Sequence, residues 1–517
     1  MIELTFYNVT KIASLMSLSP EYSDAIEEGT DELMTTYESF LNFLRKRFSR
    51  EGKFGLQLTI GVSLTLFFIF LFFSILQDYR AYDPLVRADT PIVNLIYTLR
   101  SQKLNQVMLF FTDIATWQVV FTGIIVASFS LFSLNLLPYL FALIISASGG
   151  EVVVAIIKSL VQRPRPPSIS ALVLEHSFSF PSGHTFIAFS FYGLLAYIIY
   201  HMSDKKIWKI IAIFGGIAII GAISFSRVYL GVHWPSDVLA SFTLGAAWLT
   251  LLITILELQK NALWNKETAV LIGKKFIIIP TIILLLSWFA YIGYFFETHP
   301  LTPQIALIQN PIQIHESDIP NSLFNTLPRS SQTLGGSPMN PINIVVVGNY
   351  EELVNAFESA GWVQPESITL GSSWRNMIAS IFNRPYPRAI ETPAFWNSHP
   401  NDFAFQLPTV TIRQRHHIHF WATPLLTDHG HRVWFATAHF DKAIKLKTII
   451  PTHTIDPYVD NERNAIKDDI VKTGEVTLVN EFQVIDPGQG KNQSGDAFVT
   501  DGKAFVLFLK DDKASKL

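Results

Sequence analysis

Apolar residues along this 517-residue chain gather in long unbroken runs rather than at helical or strand spacing. The first, "FGLQLTIGVSLTLFFIFLFFSIL" at residues 54–76, carries no charge. As a helix it is long enough to cross a hydrocarbon core of about 30 Å. Similar runs follow at 106–134, 136–160, 184–201, 207–225, 238–257 and 276–296. The pattern predicts seven membrane helices, the second interrupted by Asp113. Residues 1–53 are polar and mildly amphipathic and end in the basic cluster "RKRFSREGK". So long a charged stretch ahead of the first apolar run argues against a signal peptide. From about residue 297 the pattern changes: Pro, Asn and Ser thicken, and short alternating elements appear. "INIVVVGN" reads as a strand ending in a Gly-Asn turn, "YEELVNAFESAGW" as a helix closed by Gly361. "TVTIRQRHHIHFWAT" and "HRVWFATAHF" alternate as strands do. Asp456 followed by Pro457 reads as a helix N-cap with a first-turn proline, and Gly474 as that helix's stop.

Composition sharpens the picture. Hydrophobic residues make up 49% and charged residues 16%, with 41 Phe, which is too apolar for an ordinary soluble chain. With no Cys, disulfides, thiolate metal ligands and cysteine nucleophiles are excluded. The net charge of −3 gives no indication of a nucleic-acid partner. Basic residues orient the spans. Arg45, Lys46, Arg47, Arg50 and Lys53 precede the first, which puts the amino terminus in the cytoplasm; the Lys-rich stretches 201–209 and 260–275 then fall inside as well. An odd number of spans sends everything after Phe296 to the far side. The expected organisation is a cytoplasmic segment 1–53, an all-α membrane core 54–257, a cytoplasmic loop and seventh span 258–296, and a soluble α+β domain 297–517.

Three polar clusters stand at the ends of spans. "KSLVQRPRP" places Lys158 at the close of the third span and Arg165 seven residues on. Ser182, Gly183 and His184 open the fourth. "SRVYLGVHWPSD" places Ser226 and Arg227 at the end of the fifth, then His233, then Asp237 at the start of the sixth. By the orientation above, all lie at one outer face. Lys158, Arg165 and Arg227 offer positive charge and forked donors to phosphate oxygens. Ser182 and Gly183 sit where a helix begins and backbone N–H groups are free for an anion. Asp237, four residues after His233, can hold the imidazole N–H and stabilise the cation formed during attack. His184 is then free to protonate a leaving oxygen. The cations already neutralise developing charge, so neither metal nor other cofactor is required.

These residues resemble the type 2 phosphatidic acid phosphatase superfamily, whose signatures K-x6-RP, PSGH and SR-x5-H-x3-D are met at every consensus position over roughly residues 54–257. The resemblance implies a six-helix core that removes phosphate from lipid phosphates or diphosphates through a phosphohistidine. His233 would be the nucleophile, Asp237 its partner and His184 the general acid; Lys158, Arg165, Ser182, Gly183 and Arg227 would bind phosphate. The tail stretches "RQRHHIHFW", "VWFATAHFD" and "THTIDPYVDNER" are similar to the LssY-type carboxy-terminal domain over about 320–485. The implied setting is a bacterial inner membrane, with active site and tail facing the periplasm and the tail open to an envelope partner. The implied partner of the site is a lipid phosphate in the bilayer: isoprenyl diphosphate, phosphatidic acid, phosphatidylglycerol phosphate and lipid A phosphate all fit. A phosphotransferase using the same His-Asp pair, or a transporter or scaffold with a dead site, are the rival readings.

Other polar residues carry weaker signals. Arg163 lies inside "RPRP" but outside the consensus, and either touches substrate or does not. Glu151 sits within a span as a packing or family-specific polar contact; Glu175 and His176 lie in a loop that could meet a headgroup, with plain surface loop the simpler reading. His417 and His419 share one strand face, as two metal ligands do, with His416 opposite. The plainer reading is polar strand positions above Trp421 and Trp434.

Overall fold

The computed structural model describes residues 20–49, 55–167, 171–173, 175, 177–263, 274–298, 311–319, 323–324, 327–446, 451–491 and 496–510. The readings for residues 1–19, for His176 and for most of the 258–275 loop lie outside these. An all-α amino-terminal region is followed by a strand-rich α+β region, as the hydropathy pattern predicts.

The helices that matter for the site are α1 (Pro20–Phe48), α2 (Leu56–Ala81), α3 (Asp89–Thr98), α4 (Gln102–Asp113), α5 (Trp117–Ser133), α6 (Leu137–Val161), α7 (Gly183–Met202), α8 (Lys206–Tyr229), α9 (Pro235–Leu263) and α10 (Lys274–Thr298). Among the described residues five are long and apolar enough to cross a membrane, and the bent pair α4–α5 makes a sixth. The seventh apolar run is also helical, as α10. Apolar side chains at the bundle's rim, such as Phe67, Phe70 and Phe73 of α2, are exposed, the distribution expected where lipid replaces water as the solvent. Close helix approach is bought with small residues. A Cβ at Gly61 of α2 would lie 2.0 Å from the Thr254 hydroxyl of α9, so only glycine lets these two helices meet.

The second span departs from the single run expected at 106–134. It breaks after Asp113 and turns by 50°. The Thr116 hydroxyl donates to the Asp113 carbonyl at 2.7 Å, closing the break. Thr112, one residue before it, receives an N–H of Arg227 at the end of α8. The polar interruption is therefore where this span reaches the polar cluster. Within α7, Ala188–Gly193 widens into a π-helical turn, a local form often found near functional sites.

In the tail, an eight-stranded mixed sheet contains β1 (Ile312–Ile314), β2 (Ile344–Val347), β3 (Phe403–Leu407), β4 (Arg415–Thr427), β5 (Arg432–Leu446), β6 (Pro451–Ile455), β7 (Val476–Gln483) and β8 (Lys503–Leu509). The order is β1-β4-β5-β2-β8-β7, with β3 paired to β4 and β6 to β5. One face packs Ile344, Phe420, Trp434 and Ala436 against α11 (Tyr350–Ser359) and α13 (Val459–Thr473). The other carries Trp396, Trp421 and Phe435; α12 is Leu370–Phe382. Asn349 and Glu352 form the capping box that starts α11, and Gly361 follows its end at φ 86°. Asp456 is not the N-cap of α13: the helix starts at Val459 with Tyr458 as N-cap, and the Asp456 carboxylate accepts from the Tyr458 N–H at 2.8 Å. Gly474 does end it, at φ 77°. The tail touches the bundle at α3, where the Asn94 amide donates to the Ser398 carbonyl at 2.7 Å.

Candidate active site

Four helix ends meet. Lys158 closes α6, Ser182 and Gly183 open α7, Arg227 closes α8, and Asp237 sits in the first turn of α9. The connecting loops supply Arg165, Glu175 and His233. Each polar residue is thus delivered by the turn or two where a span stops being apolar.

His233 is 1% exposed and lies between two charged groups. Its Nδ1 is 3.5 Å from Asp237 Oδ2, and its Nε2 is 3.1 Å from the Arg165 guanidinium. Asp237 is held from three directions. Arg163 donates to Oδ1 at 2.7 Å, the Trp234 N–H donates to Oδ2 at 3.0 Å, and the His233 ring faces that same oxygen. Burial, then the nearby Arg165, Arg227, Lys158 and His184, push the His233 imidazole well below its usual range. A neutral ring with a carboxylate behind one nitrogen is the form a nucleophile needs.

The cations form a connected rim. Lys158 donates to the Phe178 carbonyl, which Arg165 also approaches at 3.4 Å. Arg165 is fixed further by the Ser177 carbonyl and the Val232 carbonyl, both at 2.6 Å. Arg227 is buried and donates to Thr112 and to Glu175, the latter at 2.5 Å. Glu175 also stands 3.8 Å from Arg165, so it is not the plain surface loop the sequence suggests. One carboxylate spans two guanidiniums. Burial raises the Glu175 carboxyl, but Arg227 and Arg165 outweigh that and hold it below the usual carboxylate range.

Ser182 is buried and its Oγ has no hydrogen-bond partner among the described residues. A Cβ built on Gly183 would meet only Val154, at 3.9 Å, so the helix mouth is open. A buried hydroxyl without a partner costs free energy unless something with acceptors or donors reaches it.

Arg163 lies on the side of Asp237 away from the cation rim. It is 4% exposed and bridges Asp237 to Asp89 at 2.5 Å, with the Tyr79 ring 4.6 Å away. Of its two readings, substrate contact is the one the geometry does not support. Asp89 itself escaped the sequence reading. Its carboxylate accepts from the Ser236 N–H at 2.9 Å and the Ser236 hydroxyl at 2.5 Å. Nothing local marks it: it lies 147 positions before Ser236, on a short helix outside every motif. Glu151 is exposed on α6, two turns before Lys158.

The PAP2 superfamily model matches residues 135–260, and the LssY C-terminus model matches residues 324–504. Phosphatidylglycerophosphatase B of Bacillus subtilis (strain 168) is 32% identical over 182 residues, which cover 34% of this chain and 87% of that protein. This chain belongs to the PAP2 superfamily. The superfamily is one of phosphatases, and the protein is accordingly an enzyme of the phosphoric-ester hydrolase class. The undecaprenyl-diphosphatase of Sulfolobus acidocaldarius is 38% identical over 80 residues, covering 16% of this chain and 34% of that protein. The crystal structure of a PAP2-type phosphatidylglycerolphosphate phosphatase from Bacillus subtilis aligns at 30% identity over 38% of this chain and 94% of that one, with a TM-score of 0.33. The PAP2 match starts at residue 135, so the first two spans of the expected 54–257 core lie ahead of it.

Proposed function

We propose that this PAP2 protein hydrolyses the phosphomonoester or diphosphate of a membrane lipid through a phosphohistidine on His233, without a metal ion. The observation that carries the reading is the His233 ring, with Asp237 behind Nδ1 and Arg165 against Nε2. A phosphate that displaces the Arg165–Nε2 contact keeps the guanidinium as its own ligand and meets the nitrogen's lone pair. Nε2 attacks phosphorus and the bond to the lipid oxygen breaks. His184 gives that oxygen a proton, and the lipid alcohol leaves. Water then attacks the phosphohistidine, losing its proton to His184, and the phosphorus–nitrogen bond breaks to release inorganic phosphate. Arg165, Arg227, Lys158 and the free N–H groups at Gly183 balance the charge of the transferring group.

Glu175 supports the phosphate assignment from another side. A carboxylate that pairs with Arg165 and Arg227 occupies the position where two phosphate oxygens would sit. The names of the relatives support phosphatidylglycerol phosphate and polyprenyl diphosphate as the first candidate substrates to test. The basic cluster at Arg45–Arg47, on the helix leading into α2, supports an inner-membrane orientation with the site and the 297–517 domain on the periplasmic side.

The test is phosphate release from a panel of lipid phosphates by the purified protein in detergent with EDTA. Release that disappears in His233→Ala is expected. Activity that requires added metal, or that survives in His233→Ala, contradicts the mechanism.

A further inference from the structure

The sequence shows two histidines on one strand face; the sheet register supplies a third. β4 and β5 are antiparallel with His417 directly opposite His439 and His419 opposite Thr437. The rings of His417 and His439 are 4.2 Å apart between centroids, those of His417 and His419 5.5 Å, and those of His419 and His439 5.9 Å. One donor nitrogen from each comes within 4.8 Å of the other two. Trp421 continues this face, while Trp434 lies opposite Ala422 on the other face, not beneath the histidines.

The cluster is closed over by the segment after α12. Gln406 of β3 donates to the Pro387 and Ala389 carbonyls at 3.1 and 3.0 Å, which pins that segment to the sheet. It thereby brings Glu391 over the rings. Glu391 Oε2 is 3.1 Å from His417 Nδ1, and Oε1 is 3.9 Å from His419 Nε2. Asp441 stands 3.3 Å from His417 Nε2 and 3.9 Å from His439 Nε2. Arg415 stands 3.4 Å from Glu391.

Two observations point to a ligand. His417 and His419 side chains are each only 3% exposed, yet neither nitrogen of His417 nor Nδ1 of His419 makes a hydrogen bond among the described residues. The carboxylates approach them at ion-pair distance. The second is the pair of buried carboxylates, Glu391 and Asp441, 3.1 and 3.3 Å from the two His417 nitrogens, a donor set that suits a cation.

We propose that His417, His419 and His439 bind a divalent transition-metal ion, with Glu391 as the fourth ligand. Asp441 holds the second place, the carboxylate that orients ligating imidazoles through their other nitrogens. Three imidazoles and a carboxylate suit zinc, cobalt or iron(II) rather than magnesium or calcium. Bonds of about 2.0–2.1 Å require the donor nitrogens to close to roughly 3.4 Å from one another, a change within reach of ring rotation. His439, whose side chain is 14% exposed, is the rim through which an ion enters. The proposal is independent of the phosphatase mechanism, which uses no residue of this domain.

The experiment is titration of the chelator-stripped full chain in detergent with Co2+, read by visible d–d absorption, with Zn2+ competition. One tightly held ion per chain is expected, displaced by zinc. His439→Ala and Glu391→Gln should weaken binding by about 100-fold, while far-ultraviolet circular dichroism stays that of the wild type. Two variants are used so that a folding defect in one leaves the other informative. Absence of stoichiometric binding, as when a proton on His417 rather than a metal balances the carboxylates, overturns the proposal. So does affinity unchanged in both variants.

Discussion

The membrane site and the tail's histidine cluster are both buried collections of imidazoles and carboxylates, but different charges stand beside their rings. Around His233, Arg165 faces Nε2 and Arg227 pairs with Glu175, while Asp237 faces Nδ1 and shares Arg163 with Asp89. Around His417 stand Glu391 and Asp441 against Arg415. In the first the free ring nitrogen faces a guanidinium; in the second the rings face carboxylates. On the two proposals, histidine's role follows the charges beside it: next to a guanidinium a neutral nucleophile, among carboxylates a metal ligand.

The contrast can be broken at several points. The largest effect is expected from His233→Ala, which removes the nucleophile and should lower kcat on the order of 10⁴-fold or more in a lipid phosphatase assay. His184→Ala should lower it by about 10²–10⁴-fold, and substrates with a better leaving group should recover part of that loss. Asp89→Ala leaves Arg163 buried with one partner fewer, a loss of about 3 kcal/mol for a broken buried pair. Its thermal unfolding midpoint should fall, and Asp89→Asn should lower kcat with little change in KM, since Asp89 acts through Arg163 and Asp237 rather than on substrate.

The pH profile sharpens the electrostatic half of the comparison. His233 must be neutral to attack, and its folded-state pKa is depressed by burial and by Arg165, Arg227 and Lys158. Activity should therefore persist as pH falls through the ordinary imidazole range near 6.5 and decline only below it. Arg165→Gln removes one of those cations, so its acid limb should move upward; an unmoved limb would show that Arg165 does not set the ring's protonation. The smallest effect is expected for Glu175→Gln. Removing the carboxylate that competes for Arg165 and Arg227 should reduce KM and strengthen inhibition by inorganic phosphate by a few-fold, with kcat nearly constant.

Much of the membrane site was legible because its residues must sit where spans end. An apolar run that stops at a Lys, or starts at Ser-Gly-His, announces its own depth, and motif spacing then brings His184, His233 and Asp237 to one face. Asp89, Arg163 and Glu175 act through tertiary contacts that no spacing encodes. The bend at Asp113 was visible as a polar interruption, but its use in anchoring Arg227 through Thr112 was not. In the tail, periodicity located the strands and placed His417 and His419 together. His439 and Glu391 could not be added to them without the register of β4 on β5 and the path of the segment pinned by Gln406. The start of α13 does not follow from Asp456, because an Asp before a Pro serves equally well as an N-cap or, as here, as a turn two residues ahead of one.

The most direct test of the central claim is to quench the protein with a phosphorus-labelled lipid substrate within a turnover and map the label. Acid-labile, base-stable phosphate on His233, absent from His233→Ala and accumulating when His184 is replaced in the presence of a good leaving group, is the predicted result. Turnover without any covalent label, or a label on another residue, would contradict a phosphohistidine at this site.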